Sequence, residues 1–250
     1  MSKLQILRII VCAALFFMTT VQIYILLFGR RRKLAGLRRA LVYGALFVAV
    51  FLIPSYVPAS VVPDFLTADA DEGTPAQLPD WLVYYNQTEE PWANETYGEG
   101  DLIQDTGCGP TVVAMAVSSL TETQATPKEV ADWAYENGYW SPGSGSYHTL
   151  IQDGLAHYGL ESSILTSKEE VKAALEEHYL VIALMGEGHF TGGGHFLLLC
   201  DLPDGRNVVL ADPKSRETTA KLWSLNTIVN ESKASPTTGG AFWKIEKQAV

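Results

Sequence analysis

The chain has 250 residues, a net charge of −10, and hydrophobic and aromatic contents of 47% and 10%. That composition excludes a disordered chain, and the length allows one large domain or a smaller one with appendages. Charge is unevenly spread: residues 1–60 hold eight Lys/Arg and no acid, leaving ten basic residues against all 28 acidic ones, a net of −18, in residues 61–250. So acidic a part lacks the basic face that nucleic-acid binding requires. Cys12, Cys108 and Cys200 make no disulfide framework and read as free thiols.

Residues 9–28 carry no charge and, at about 1.5 Å per residue, reach the thickness of a bilayer core. Residues 40–63 form a second uncharged run, read as a span of about 18 residues ending near Pro54–Val57. Phe28-Gly29-Arg30 follows the first segment where a signal peptide would carry small residues, so a cleaved leader is disfavoured. Residues 1–59 are therefore expected to form a membrane hairpin of two transmembrane helices. The loop 29–39 holds six basic residues, against Lys3 and Arg8 before the first span. Positive charge stays on the cytoplasmic side, so both termini and the acidic domain are expected outside the cell membrane.

Residues 60–79, rich in Pro, Asp, Ala and Thr, read as a linker, and residues 80–250 as one domain. Within it, residues 81–85 read as a short strand. Residues 110–120 are apolar on most faces and predict a buried helix. Thr126-Pro127-Lys128-Glu129 is a capping box with Pro at the first helical position, opening a helix to about Asn137 that Gly138 closes. Residues 147–158 predict a third helix, stopped by Gly159, and Ser167 opens a fourth. Residues 179–185, 194–201 and 207–211, rich in Val, Ile and Leu, predict strands, the last two joined by a hairpin turn at Pro203-Asp204-Gly205-Arg206. Helices first and strands later make an α+β arrangement with an antiparallel sheet.

Cys108 lies between Gly107 and Gly109, directly before the buried helix. There a thiolate faces unpaired N–H groups and the positive end of the helix dipole, which favours the charged nucleophile. Flanking glycines admit a substrate carbonyl closely. The bland alternative is a small buried cysteine beside a turn. Five histidines are available as its base. His148 and His157 fall in the third helix, His178 at the end of the fourth, and His189 in the glycine-rich stretch 186–194. His195 opens an apolar strand, a polar residue in need of a partner. With Asp204-Gly205 as the centre of a two-residue turn, paired positions sum to 409, which sets Asp212 opposite Leu197 and diagonal to His195 on one face. An odd-numbered loop would separate them. Cys108, His195 and Asp212 are then nucleophile, base and orienter for acyl transfer. For the oxyanion, Gln87 and Gln104 are the upstream candidates, beside the Cys108 N–H. His189 and His195 lack a metal-ligand spacing, and no helix follows Gly192–Gly194 to make a phosphate loop, so no metal and no cofactor are expected. Asn86, Asn94 and Asn230 match the glycan acceptor pattern and are read as chance.

Tyr85-Asn86-Gln87, Trp92, Tyr97-Gly98, Gly107-Cys108-Gly109-Pro110-Thr111, Ala114-Met115, Thr126-Pro127 with Val130, Gly194-His195-Phe196 and Asp212-Pro213 resemble bacterial papain-like cysteine peptidases. The group they are most similar to is related to the bacteriocin-processing, double-glycine leader peptidases, over about residues 80–246. The resemblance implies a papain-like fold, Cys108 as nucleophile, His195 as base, Asp212 as orienter and a peptide or protein substrate. The position six before the cysteine, commonly glutamine in such enzymes, is Leu102 here, so Gln87 is chosen for the oxyanion hole with Gln104 in reserve. The transporter and ATPase domains of the classical leader peptidases are not in this sequence, so leader processing does not carry over. The expectation is a membrane-embedded, extracytoplasmic cysteine peptidase. A peptidoglycan amidase or endopeptidase and a non-catalytic peptide-binding module are the rivals.

Overall fold

The computed structural model describes residues 18–21, which are helical, and residues 73–248. Both expected membrane spans otherwise lie outside the described residues. Among the described residues no helix is long and apolar enough to cross a membrane. The chain divides into two units, Met1–Ala70 and Asp71–Val250, and the second is the one described here.

In chain order, the second unit opens with the two-residue strands β1 (Thr96–Tyr97) and β2 (Asp101–Leu102), then α1 (Ile103–Thr106), α2 (Cys108–Leu120) and α3 (Pro127–Glu136). The short strands β3 (Trp140–Ser141) and β4 (Gly145–Ser146) precede α4 (Leu150–His157), β5 (Ser162–Leu165) and α5 (Lys168–Glu176). The central strands β6 (Tyr179–Met185), β7 (His195–Asp201) and β8 (Asn207–Ala211) follow. Last come α6 (Arg216–Thr219), β9 (Trp223–Ser224), α7 (Leu225–Asn230) and β10 (Phe242–Gln248). One six-stranded antiparallel sheet, ordered β5-β10-β6-β7-β8-β9, carries the core. The expected α+β architecture with an antiparallel sheet is what the chain adopts.

Local chemistry explains the best-placed elements. Thr126 and Ser167 each accept from the N–H three residues on, while Glu129 and Glu170 reach back to their cap N–H groups. These reciprocal bonds fix the starts of α3 and α5. Gly138 and Gly159 take positive φ values of 80° and 82° just past α3 and α4, ending both helices. α2 is buried on nearly all sides because it packs on β7 and against α3 and α4 together. The central strands are buried on both faces, which is why they read as continuous apolar runs.

Four expectations need correction. Residues 81–85 form no strand: the Val83 N–H goes to Ser119 Oγ at 2.9 Å, a side chain of α2, so no ladder can form. The third helix begins at Leu150, after the turn residues 147–149, which leaves His148 outside it. The folded unit also starts earlier than residue 80. Leu222 N–H donates to Thr74 O at 2.8 Å and Ala76 N–H to Ala220 O at 2.8 Å, drawing part of the expected linker into the domain.

The fourth correction concerns the hairpin. Leu198 pairs with Ala211 and Leu199 with Leu210, so these positions sum to 409 as expected; Asp201, however, pairs with Val209, a sum of 410. An even sum means an odd-numbered loop, and Cys200 is the extra residue of a β-bulge. The loop displaces the register by one residue and the bulge displaces it back. Asp204 organises the turn by accepting from the N–H groups of Arg206 and Asn207 at 2.9 and 2.6 Å.

Candidate active site

Cys108 is the first residue of α2 and its N–H has no intrahelical carbonyl to reach. Gly107 turns the chain between α1 and α2, where an added Cβ would come within 2.5 Å of Ile103 O. Cys108 is half-buried, whereas Cys200 is buried. His195 opens β7 opposite Met185, the last residue of β6, and is 6% exposed. Asp212 leaves the end of β8 and is 2% exposed.

His195 Nε2 lies 2.8 Å from Asp212 Oδ1, and the imidazole acts on the Cys108 thiol, which lines the same cleft. With Nε2 taken by the carboxylate, the other ring nitrogen, Nδ1, serves the sulfur. Burial alone would push the Cys108 thiol up. The hydrogen bond and charge of His195 outweigh burial, helped by the N–H groups of Phe196 and Gly109, and hold the thiol below its ordinary 9.0. Burial alone would likewise pull the imidazole down. Hydrogen bonds with Asp212 and Cys108 outweigh it and push His195 up to about 9. Both shifts favour a thiolate facing an imidazolium.

Asp212 is itself fixed from three directions. Its Oδ1 accepts from Lys214 N–H at 2.8 Å, its N–H donates to Thr219 Oγ1 at 3.0 Å, and its carbonyl accepts from Tyr84 Oη at 2.8 Å. Sequence reasoning missed Tyr84 and Thr219, since nothing local to either marks a tertiary contact across 128 or 7 positions.

Gln87 is 1% exposed and lines the same cleft as Cys108 and His195; Gln104 does not line it. The Gln87 amide donates to Ile103 O at 3.1 Å and Gln104 O at 2.8 Å, while its Oε1 is buried with no hydrogen-bond partner among the described residues. Both amide hydrogens are thus engaged, and an oxyanion near Cys108 competes with these carbonyls for them.

The cleft has a volume of about 740 Å³. Its walls come from α1, the β3–β4 hairpin and the β6–β7 loop that bears Phe190 and Gly194. His189 sits on that loop but its ring bonds to the Glu231 carboxylate, which also accepts from His189 N–H at 2.7 Å. His157 stacks on Trp133 with ring centroids 4.5 Å apart, and His178 follows α5 with φ 61°. Among the described residues no group of three or more His, Cys, Asp or Glu could hold a metal ion.

The model of the Peptidase_C39 like family matches residues 82–238, which takes in Gln87, Cys108, His195 and Asp212. Among solved structures, the peptidase domain of ComA from Streptococcus, a bifunctional ABC transporter involved in a quorum-sensing pathway, is similar at 12% identity and a TM-score of 0.44. That match covers 60% of this chain and 96% of the other. A double glycine motif protease from an AMS/PCAT transporter, solved with its leader peptide, is similar at 14% identity and a TM-score of 0.37, covering 66% and 97%. A search of curated proteins gives no significant match. The fold is the α+β papain-like peptidase fold with an antiparallel sheet, and the chain belongs to the Peptidase_C39 like family of cysteine peptidases.

Proposed function

We propose that this cysteine peptidase is anchored in the cell membrane by residues 1–59 and cleaves peptide bonds on the extracytoplasmic side through Cys108, His195 and Asp212. The buried His195–Asp212 pair, set in one cleft with the Cys108 thiol, is the observation that carries the reading. The thiolate attacks the substrate carbonyl, and the carbonyl oxygen becomes an oxyanion beside the Cys108 N–H. Gln87, on the same cleft, is the second donor once it releases a backbone carbonyl. The His195 imidazolium gives its proton to the leaving amine, which departs and leaves a thioester on Cys108. Neutral His195 then takes a proton from water, hydroxide adds to the thioester, and the acid product leaves as the thiolate and imidazolium re-form. Asp212 holds the ring and favours its protonated state without taking the proton.

The test is incubation of the full-length protein, wild type and Cys108→Ala, with a peptide library and with purified cell wall. Release of new peptide termini by the wild type alone supports the proposal. Cleavage confined to cell wall would replace it with a peptidoglycan hydrolase. No cleavage of either, with an unreactive Cys108, would leave a peptide-binding module.

A further inference from the structure

In a domain this acidic, basic side chains are expected to be paired, and five of those described form ion pairs. Lys128 pairs with Asp132, Lys172 with Glu176, Arg216 with Glu89, Lys221 with Glu217 and Lys244 with Glu246. Lys214 and Lys233 make no ion pair among the described residues, and both line the cleft that holds Cys108 and His195. The carboxylates nearest to them are committed elsewhere. Asp212 is bonded to His195, and Glu231 to His189. Asp105, on α1, is the one acidic residue lining the cleft among the described residues.

The two lysines stand on opposite flanks of the reacting groups. Lys233 N–H donates to Leu184 O at 2.9 Å, and Ser232 bridges Met185, on the side of β6 turned away from β7. His195 begins β7 on the other side of Met185. Lys214 follows the end of β8, beyond β7. With neighbouring strands about 4.8 Å apart, three spacings separate the two lysine backbones, roughly 14 Å, the length of about four extended residues. Both lysines line the cleft from backbones on opposite sides of His195, so a peptide laid across His195 would run between them. Lys233 also contributes to holding His148, on the cleft wall, below its ordinary value, after burial. Beside the His195–Cys108 pair, the two lysines are the ammonium groups that line the cleft among the described residues.

We propose that Lys214 and Lys233 make this cleft selective for an acidic peptide, with carboxylate side chains on both sides of the scissile bond. The proposal rests on the peptidase reading above and concerns its substrate. Specificity of this kind comes from matched charge across the contact and weakens as salt screens it.

The test uses the full-length protein in detergent micelles. The library peptide cleaved fastest is remade with Glu, Gln or Lys two residues either side of the cleavage point. The Glu peptide is expected to exceed its Gln twin in kcat/KM by about tenfold at low salt, with the advantage shrinking in roughly 0.5 M salt. Lys214→Gln with Lys233→Gln should bring that ratio to near one, and Lys214→Glu with Lys233→Glu should favour the Lys peptide. A second readout needs no substrate: alkylation of Cys108 by iodoacetate, an anion, relative to neutral iodoacetamide. The glutamine double variant should lower this rate ratio by about threefold or more at low salt. Cleavage without charge preference, and an unchanged labelling ratio, would overturn the proposal and leave the peptidase standing. A shifted labelling ratio with no peptide cleaved would support the anion-selective cleft and remove the peptidase reading.

Discussion

A Cβ added at Gly109 would lie 2.8 Å from Ser146 Oγ and 3.1 Å from Ser146 Cβ. Ser146 cannot swing aside freely, because its Oγ is 2.7 Å from the hydroxyl of Tyr97, which is fully buried. The first turn of α2, which Cys108 opens, is thus seated directly on the β3–β4 hairpin. Gly109→Ala should cost ~1–3 kcal/mol of stability, the usual range for overpacking a filled site. Ser146→Gly in the same chain should recover part of it. Thermal unfolding of the two variants checks this. An unperturbed Gly109→Ala protein would mean the helix start is looser than the contact implies.

The coupled thiolate and imidazolium set a pH window. Attack needs Cys108 deprotonated and His195 protonated. Activity should rise through the depressed thiol value, below 9.0, and fall as His195 loses its proton near 9. Asp212→Asn removes a charge that raises His195, so burial then acts with less opposition and the alkaline limb should move to lower pH. The measurement is kcat/KM against pH for both proteins. An alkaline limb that stays in place would show that Asp212 does not set the imidazole's charge.

Thiol labelling should separate Cys108 from Cys200. Burial pushes the Cys200 thiol far up, and its Sγ is bonded to Leu198 O at 3.3 Å. Iodoacetamide should modify Cys108 far faster at pH 7, with a midpoint below a free thiol's roughly 8.5. Peptide mapping by mass spectrometry distinguishes the sites. Equal rates would count against an activated thiolate.

His195→Ala should abolish turnover about as fully as Cys108→Ala, because the two act as a unit. His189→Ala should keep the chemistry, since its ring faces Glu231 and not the sulfur. That ring does have a carboxylate partner, Glu231. Losing that partner loosens the loop carrying Phe190 and Gly194, so a raised KM is expected with kcat largely kept. An essential His189 beside a dispensable His195 would undo the assignment of the base.

Topology can be read with external protease on intact cells. The acidic domain should be digested and the loop near Arg32 protected. Digestion only after permeabilisation would place the domain in the cytoplasm.

The parts of this structure legible in sequence are those written locally. Thr126 and Glu129, or Ser167 and Glu170, name a helix start within four residues. The runs 179–185 and 207–211 are apolar enough to declare strands to the residue. Cys108 was legible because glycines and a helix start coincide there. β10 was not read, since Phe242, Trp243 and Ile245 alternate imperfectly and the partners that make them a strand, β5 and β6, lie far away in sequence. Tyr84, Thr219 and the bonds of the Gln87 amide were hidden for the same reason. A two-residue turn at Asp204-Gly205 predicts the pairing of His195 with Asp212, yet the hairpin has no such turn. Neither the odd loop nor the bulge at Cys200 leaves a local mark, and only their opposite effects let the conclusion stand.

That compensation constrains how this hairpin can change length. Dropping one residue from the tip around Asp204 would slide β8 by one position and send every side chain on it, Asp212 included, to the opposite face. Dropping the residue at 200 alone would do the same from the other strand. Only both deletions together return the carboxylate to the imidazole. Two sites at opposite ends of a short stretch of chain are therefore tied as a pair, each free to lose a residue only when the other does, although the side chains at neither site touch the reacting atoms.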